Sequence, residues 1–473
     1  MRVAIIAALA VLLLTPAMAD QWQMKQRDMH NTGRADFSPL ADNTFFDNII
    51  WQTKSPGGVR GHQMSFYDDV GPQGGDIVVG TYALPKGAQG MERYTGAVYW
   101  SVNPGGGGQL SYVTCAFSND GSVMYATNDA TTPLGPCKAW YTTVGPAVNW
   151  DNSADAAPND LGMLSPTIAP DGRIFLKARN DRPYAGTDTP GVAITETWAA
   201  ATANLPIYSD PALYMDGDDL KVISSGRAAK INAYDGGTGA ELWSTNTPGG
   251  TDASVTIDPA NGNIYVACGF NDIWAVGLDK DGNTLWTANK VWDYVSGTNN
   301  PQRAQAAGCL SHDGETYYFQ TNSAQGDGQL YAINTADGSL KWSYATQSFD
   351  WVQHSSSPIV TPNGIVVVGN NKGDTFYAIQ DGGAGNPILL DTLAVNPDGN
   401  ASGRAHASVC ISADGWMYVA TRLNWTKPGD DPNPDGTVQF LYNGFQLTPV
   451  PEPSVMALFG LGLLALLRLR RKK

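Results

Sequence analysis

The chain has 473 residues, of which only 15% are charged, and its formal net charge is −15. An acidic body without a basic stripe repels the phosphates of nucleic acids, so composition excludes nucleic-acid binding as the function. The five cysteines are odd in number and scattered, which argues against a disulfide framework.

The chain begins with a predicted signal peptide. Arg2 supplies the positive charge, residues 4–14 are apolar, and Ala17-Met18-Ala19 forms an A-x-A cleavage site. We therefore expect residues 1–19 to be removed, the mature chain to begin at Asp20, and the protein to be exported.

Eight similar patterns follow, each an apolar strand, a tight turn and a second apolar strand. The clear copies carry Asp-Gly or Asn-Gly turns, such as Asp171-Gly172 and Asp313-Gly314, which are strong hairpin signals. A further strand position recurs at spacings of 43 to 56 residues: Trp51, Trp100, Trp150, Trp198, Trp243, Trp286, Trp342 and, continuing the series, Leu390. Four strands per unit of this length are typical of a β-propeller blade.

The eighth hairpin, near Cys410, lacks a following strand that ends in tryptophan, whereas the strand 48–52 precedes the first hairpin. We therefore predict an all-β, eight-bladed β-propeller over residues 20–449, closed by its N-terminal strand. Residues 45–54 should pair with a third strand at 437–442, because closure removes open sheet edges.

The turn before the tryptophan carries a family resemblance. Residues 233–243 fit A-x-D-x-x-T-G-x-x-x-W, and residues 332–342 are a near copy. This pattern resembles the tryptophan-docking motif of the pyrroloquinoline-quinone-like (PQQ-like) propeller family. The resemblance implies that each tryptophan packs between neighbouring blades.

That family contains both dehydrogenases and cofactor-free scaffolds, so the fold does not decide the function. Its dehydrogenases use a disulfide between adjacent cysteines, a calcium ion held by acidic and amide side chains, and a catalytic aspartate. No such set can be matched to positions in this chain, so we expect no catalytic residue, no PQQ and no other cofactor. A PQQ-dependent quinoprotein dehydrogenase and an envelope-protein assembly scaffold remain the alternatives.

Three histidines stand just before predicted inner strands of consecutive blades: His62, His354 and His406. Arg60, Arg404 and Arg303 flank the same channel entrances, with Gln302, Gln305 and Trp351. Because inner strands start around one mouth of the channel, these side chains form a candidate pocket for a sugar or a small anion. A zinc site and ordinary loop-end residues are the alternatives.

The cysteines indicate structural roles. Cys309 and Cys410 occupy equivalent inner-strand positions, whereas Cys115 and Cys137 fall on the first and third strands of one blade, where they could pair only in another register. The acidic loop 429–436 is a candidate for calcium, although its spacing does not match an EF-hand, and a solvated loop is the alternative.

The chain ends in a three-part tail, residues 450–473. Pro451, Glu452 and Pro453 come first, residues 455–467 are apolar, and a basic cluster containing Arg468, Arg470 and Arg471 follows. The tail resembles a PEP-CTERM sorting signal, which exosortase-type enzymes read in Gram-negative bacteria that make extracellular polysaccharide. The apolar run is shorter than the roughly 20 residues that span a bilayer, and the basic end resists translocation.

These features predict a destination. We expect the protein to be exported, anchored transiently in the inner membrane by a short transmembrane segment, and delivered to the periplasm, cell surface or extracellular matrix. Its expected partners are an exosortase-type processing enzyme and a polysaccharide or another envelope protein. The expected role is non-catalytic binding or scaffolding.

Overall fold

The computed structural model describes residues 21–57, 63–82, 87–102, 114–127, 137–142, 148–151, 165–177, 183–189, 193–200, 209–323, 327–348, 356–370, 375–383, 386–394, 407–423 and 439–450. The predicted signal peptide, the acidic loop 429–436 and the apolar and basic parts of the tail lie outside these ranges. Within them, no helix is long and apolar enough to cross a membrane.

The described residues form eight antiparallel sheets. We number them 1 to 8 by the chain order of their inner hairpin strands, and we call each of these the first strand of its sheet. The N-terminal strands and those of sheets 1 and 2 are β1 (Gln21–Trp22), β2 (Ile49–Lys54), β3 (Ser65–Tyr67), β4 (Ile77–Tyr82), β5 (Gly87–Glu92), β6 (Val98–Val102), β7 (Ala116–Phe117), β8 (Val123–Thr127), β9 (Cys137–Tyr141) and β10 (Val148–Asp151). A 3-10 turn, Pro72–Gly74, lies between β3 and β4.

Sheets 3 to 5 follow in chain order. Their strands are β11 (Thr167–Ile168), β12 (Ile174–Lys177), β13 (Pro183–Thr189), β14 (Ala193–Ala199), β15 (Ala212–Asp216), β16 (Asp219–Gly226), β17 (Lys230–Asp235), β18 (Glu241–Asn246), β19 (Thr256–Ile257), β20 (Ile264–Cys268), β21 (Phe270–Asn271), β22 (Ile273–Leu278) and β23 (Thr284–Trp292). Strand β21 leaves this order and joins sheet 6.

Sheets 6 to 8 complete the described part. Their strands are β24 (Gln302–Ala304), β25 (Cys309–Leu310), β26 (Thr316–Ser323), β27 (Gly328–Asn334), β28 (Leu340–Ser348), β29 (Ile359–Val360), β30 (Ile365–Gly369), β31 (Thr375–Gln380), β32 (Ile388–Ala394), β33 (Cys410–Ile411), β34 (Trp416–Leu423) and β35 (Gln439–Gln446). Sheet 8 has the order β2-β35-β34-β33, so a strand from the start of the chain forms its outer edge.

The all-β propeller prediction is confirmed, and so is closure by the N-terminal strand. Strand β2 pairs antiparallel with β35, with Ile49 opposite Phe445 and Lys54 opposite Leu441. The third strand of this sheet extends further than the predicted 437–442. Its pairing partner comes from almost 400 residues away, which explains why only the strand count predicted it.

The antiparallel order gives the sheets two distinct ends. Turns between first and second strands, and between third and fourth strands, lie at one end, which we call the lower face. The other connections lie at the opposite end, the upper face. Hydrogen bonds join equivalent turns of neighbouring sheets on the lower face, for example from the Asn119 amide to the Ala169 carbonyl at 2.9 Å. The sheets therefore share one orientation around their centre.

Tryptophan docking is visible at the lower face. The indole N–H of each described docking tryptophan donates to the next sheet: Trp51 to Arg93 O, Trp100 to Thr142 O, Trp198 to Gly236 O, Trp243 to Lys280 O, Trp286 to Thr335 O and Trp342 to an Asp381 carboxylate oxygen, at 3.0 to 3.4 Å. In all eight sheets the third and fourth strands shift register beside this position. Gly338, with φ of +74°, leaves no room for a Cβ beside Trp286, so the turn requires glycine.

The predicted continuation of this series at Leu390 is wrong by one residue. Asp391 pairs with Ala378, as Trp342 pairs with Ala332 one sheet earlier. The Asp391 carboxylate accepts the backbone N–H of Phe46 at 2.8 Å. Sheet 7 therefore meets the N-terminal segment through an aspartate where its neighbours use tryptophan.

The cysteine predictions are partly tested. Cys309 and Cys410 are the first residues of β25 and β33, so they are equivalent inner-strand positions as expected. Cys115 is a buried thiol that forms no disulfide, so the alternative pairing with Cys137 is not made. Burial raises the pKa of the Cys309 thiol well above its ordinary value, which makes it unreactive near neutral pH.

Candidate functional site

None of the six predicted pocket residues lies in the described part of the chain. The structure does not describe His62, His354, His406, Arg60, Arg404 or Trp351, so their grouping stays a prediction. The described neighbours Gln302, Arg303 and Gln305 lie on or just after β24, which pairs with β21 and β26.

A belt of polar residues surrounds the channel, two residues before the first strand of seven sheets, whereas sheet 6 has Ala307 at this position. Within it, a backbone N–H donates to the side chain of the next sheet: Gln63 to Thr114, Thr114 to Ser165, Ser165 to Asp210, Asp210 to Ser254 and Ser357 to Ser408, at 2.6 to 3.1 Å. Asp210 is the carboxylate in this belt. It is almost fully buried, at 3% exposure.

Residues 21–40, which we call the strap, cross the inner edge of the sheets. Carbonyl oxygens of the strap accept the backbone N–H of the second residue in five first strands: Gln23 from Phe117, Met29 from Leu213, His30 from Ile257, Thr32 from Leu310 and Gly33 from Val360. In sheet 1 the strap adds β1 beside β3. These bonds satisfy amides that would otherwise face the channel.

One loop of the strap reaches into the channel itself. The N–H of Gln26 donates to the Gln63 side chain at 2.7 Å, and its side-chain amide donates to the carbonyls of Gly308 and Pro358. The ammonium group of Lys25 bonds to the Asp210 carboxylate. A single loop thus contacts sheets 1, 4, 6 and 7, and it places a cation on the carboxylate of the belt.

A second buried carboxylate, Asp252, lies near the upper ends of sheets 4 to 6. Arg227 donates to both of its oxygens at 2.6 Å, in the two-pronged geometry that suits a guanidinium and a carboxylate. Arg303 lies close to this pair, and both guanidinium carbons stand about 5.5 Å from the centre of the Phe270 ring. Burial lowers the pKa of Arg303, and the Asp252 charge opposes that effect.

A cavity of about 390 Å³ lies where the strap passes sheets 2 and 3. Its lining combines amides and charges with apolar groups: Gln21, Gln23, Met24, Arg27, Asp28, Met29, His30, Asn119, Ile168 and Pro170. Burial lowers the pKa of His30, so the imidazole is mainly neutral at pH 7. Asn119 and Pro170 belong to lower-face turns, so the cavity lies towards that face.

Sequence reasoning missed both the strap and the belt. A Ser, Thr or Asp stands two residues before six of the eight first strands, and this repeating signal could have been read from aligned hairpins. Lys25 and Gln26 offered no comparable signal, since their role depends on a loop entering a channel that a distant part of the chain builds.

Comparison with known proteins agrees with the repeat and tail patterns. Residues 195–414 match the family described as outer membrane protein assembly factor BamB, and residues 449–472 match the PEP-CTERM protein-sorting motif. Residues 195–414 are therefore similar to PQQ-like repeats, and the end of the chain is similar to a PEP-CTERM sorting motif. Both resemblances predicted from the sequence are therefore confirmed.

One curated relative is similar to part of the chain. BamB of Nitrosomonas eutropha is 27% identical over 192 residues, which are 41% of this chain and 37% of that protein. The match thus spans little more than a third of the relative's length.

Solved structures show a similar fold at low identity. A europium-containing methanol dehydrogenase superposes with a TM-score of 0.62 at 13% identity, covering 90% of this chain and 98% of that one. BamB from Moraxella catarrhalis gives 0.52 at 13% identity, covering 83% and 98%. Quinohemoprotein alcohol dehydrogenase from Comamonas testosteroni gives 0.58 at 11% identity, covering 92% and 81%. These likenesses concern the fold alone.

Proposed function

We propose that the protein is an exported, non-catalytic propeller that binds or scaffolds at the cell envelope, with polysaccharide as the favoured ligand class. In this proposal residues 1–19 are the signal peptide, residues 20–449 form one propeller whose eight sheets are eight blades, and residues 450–473 form the sorting tail. The observation that carries the non-catalytic role is the Lys25 ammonium on Asp210.

The competing function is a PQQ-dependent dehydrogenase, and the pairing of two described carboxylates supports the non-catalytic role over it. Such chemistry needs a carboxylate available as a base and oxygen ligands for a metal ion. The two carboxylates described above, Asp210 and Asp252, are each bonded to a basic side chain. No group of three or more His, Cys, Asp or Glu side chains within the described ranges could hold a metal ion.

The proposal is tested by offering the secreted protein both kinds of ligand. After incubation with PQQ and Ca²⁺ and then desalting, we expect no retained quinone absorbance and no alcohol-dependent dye reduction. In sedimentation with extracellular polysaccharide from the producing bacterium, we expect the protein to move with the polymer. Retention of one quinone per chain with dye reduction would establish the dehydrogenase instead.

The match to BamB favours a second candidate, an assembly scaffold for other envelope proteins. This role predicts that deleting the gene lowers the amount of folded outer-membrane proteins, whereas polymer binding does not. Quantitative proteomics of the envelope separates the two roles.

The C-terminal tail determines where the protein is anchored and processed in this proposal. We propose that its apolar run anchors the newly exported chain in the inner membrane until an exosortase-type enzyme cuts near the Pro-Glu-Pro sequence. Replacing Pro451, Glu452 and Pro453 with alanines should therefore leave an unprocessed form in the membrane fraction. The matched control replaces Pro432, Asn433 and Pro434 and should be processed normally. Intact-mass measurement decides, because secreted wild-type protein that still contains Lys473 would contradict the proposal.

A further inference from the structure

The point at which the tail leaves the folded body is fixed by hydrogen bonds. Strand β35 ends at Gln446 on the lower face, and the chain then runs beside the strap. The N–H of Leu40 donates to Thr448 O at 2.7 Å, and the N–H of Val450 donates to Ser38 O at 3.0 Å. Pro39 and Pro449 form an antiparallel bridge between these bonds. The tail therefore departs from the lower face.

Little chain separates this point from the apolar run. Residues 451–454 are the link between Val450 and the run that starts at Val455. Four fully extended residues span roughly 14 Å, which is much less than the width of a propeller domain of this size. While the run is inserted in a bilayer, the lower face must lie close to the lipid surface.

The same face carries a rim of exposed apolar side chains. Each stands at or near the start of a fourth strand, beside a lower-face turn, and each is 42–54% exposed: Ile50, Val98, Leu242, Leu285, Leu340, Ile388 and Leu389. They come from sheets 8, 1, 4, 5, 6 and 7. A repeated apolar rim on one face is the kind of surface that marks contact with a membrane or a partner.

We propose that the tethered protein stands with its lower face on the bilayer, so that this apolar rim contacts the lipid surface and the upper face points away from the membrane. The inference rests on the proposed transient anchor. Turn residues beside the rim include Asp235, Asp281 and Asp337, which anionic lipids would repel. The surface that fits is therefore zwitterionic lipid.

The orientation determines what each face can do. The upper face, with the predicted histidine pocket, stays available to a polymer or protein partner while the chain is anchored. The cavity beside the strap faces the membrane until the tail is cut. Cleavage therefore exposes a second surface as well as releasing the protein.

The test uses the full-length chain in phosphatidylcholine vesicles. A photo-crosslinking residue, benzoylphenylalanine, replaces Leu242, Leu340 or Ile388 on the rim, and Val295 serves as the matched control. Val295 is equally exposed, at 50%, and follows β23 on the upper face. After irradiation, mass spectrometry counts the lipid adducts at each position.

We expect adducts at the three rim positions to exceed those at Val295 several-fold. The difference should disappear when the chain ends at Val450, and it should shrink on anionic vesicles at low salt. Adducts at Val295 that equal or exceed the rim adducts in floating vesicles would overturn the orientation but keep the anchor. If the full-length chain fails to float with vesicles, the anchor is wrong and the orientation falls with it.

Discussion

Replacing Arg93 with alanine should lower the free energy of unfolding by about 3 kcal/mol. Arg93 lies in sheet 1 at 1% exposure and joins it to sheet 8, where the ring closes. Its guanidinium donates to the Tyr418 hydroxyl at 2.9 Å and to Asp414 at 2.7 Å, and also bonds to Asp68. The same group lies 4.6 Å from the centre of the Phe66 ring.

The size of this effect follows from what the substitution leaves behind. Asp414 is 44% exposed and can regain water, so removing Arg93 does not strand a fully buried charge there. The Tyr418 hydroxyl is buried and loses its donor. The contact between sheets 1 and 8, which we call the closing seam, also loses the packed aliphatic stem of the arginine. These losses place the cost near the lower end of the range for breaking a buried ion pair.

Urea unfolding followed by tryptophan fluorescence measures the change. Lys280→Ala is the matched control, because Lys280 also joins two sheets through Asp216 but is 37% exposed. Solvent screens such a pair, so the control should barely move the midpoint. Equal midpoints for Arg93→Ala and Lys280→Ala would show that the seam does not depend on this cluster.

The sequence predicted the repeating parts of this fold because each unit carries the same local signals. Turn pairs such as Asp313-Gly314 fix hairpins locally, and the spacing of Trp243 and Trp286 gives the length of a unit. Closure by β2 was also predicted, because the N-terminal strand had no hairpin of its own and the eighth hairpin, near Cys410, lacked a fourth strand.

The strap could not be predicted in this way. Its residues bond to amides of Phe117, Leu213 and Val360, which belong to sheets far apart in the chain. Such contacts depend on the finished ring and leave no local period. The aspartate at position 391 was missed for a related reason, because no tryptophan marks this position in sheet 7 and only the strand pairing shows which residue occupies it.

Deleting residues 20–54 behind the signal peptide should make the protein aggregate. The deletion removes β2 and thereby opens the outer edge of β35 along its pairing from Leu441 to Phe445. It also removes Trp51, whose indole N–H donates to Arg93 O at 3.0 Å across the closing seam. Long unpaired edges are templates for pairing with other chains.

A shorter deletion, of residues 20–36, separates the two functions of the N-terminal region. It keeps β2 and the Pro39–Pro449 bridge, so the ring should still close and the protein should not aggregate. The amides of Phe117, Leu213, Ile257, Leu310 and Val360 lose their acceptors in the strap, so their hydrogen exchange should become faster. Lys25→Ala should produce a weaker form of the same change, because it leaves the buried Asp210 carboxylate without its ammonium partner.

Light scattering after size exclusion, together with hydrogen exchange read by mass spectrometry, distinguishes these outcomes. A monodisperse 20–54 deletion that unfolds with unchanged cooperativity would contradict closure by β2. Unchanged exchange in the 20–36 deletion would mean that the strap lies over the channel without protecting it. The two deletions differ by 18 residues that include all of β2, so aggregation of only the longer one assigns ring closure to that strand and protection of the channel to the strap.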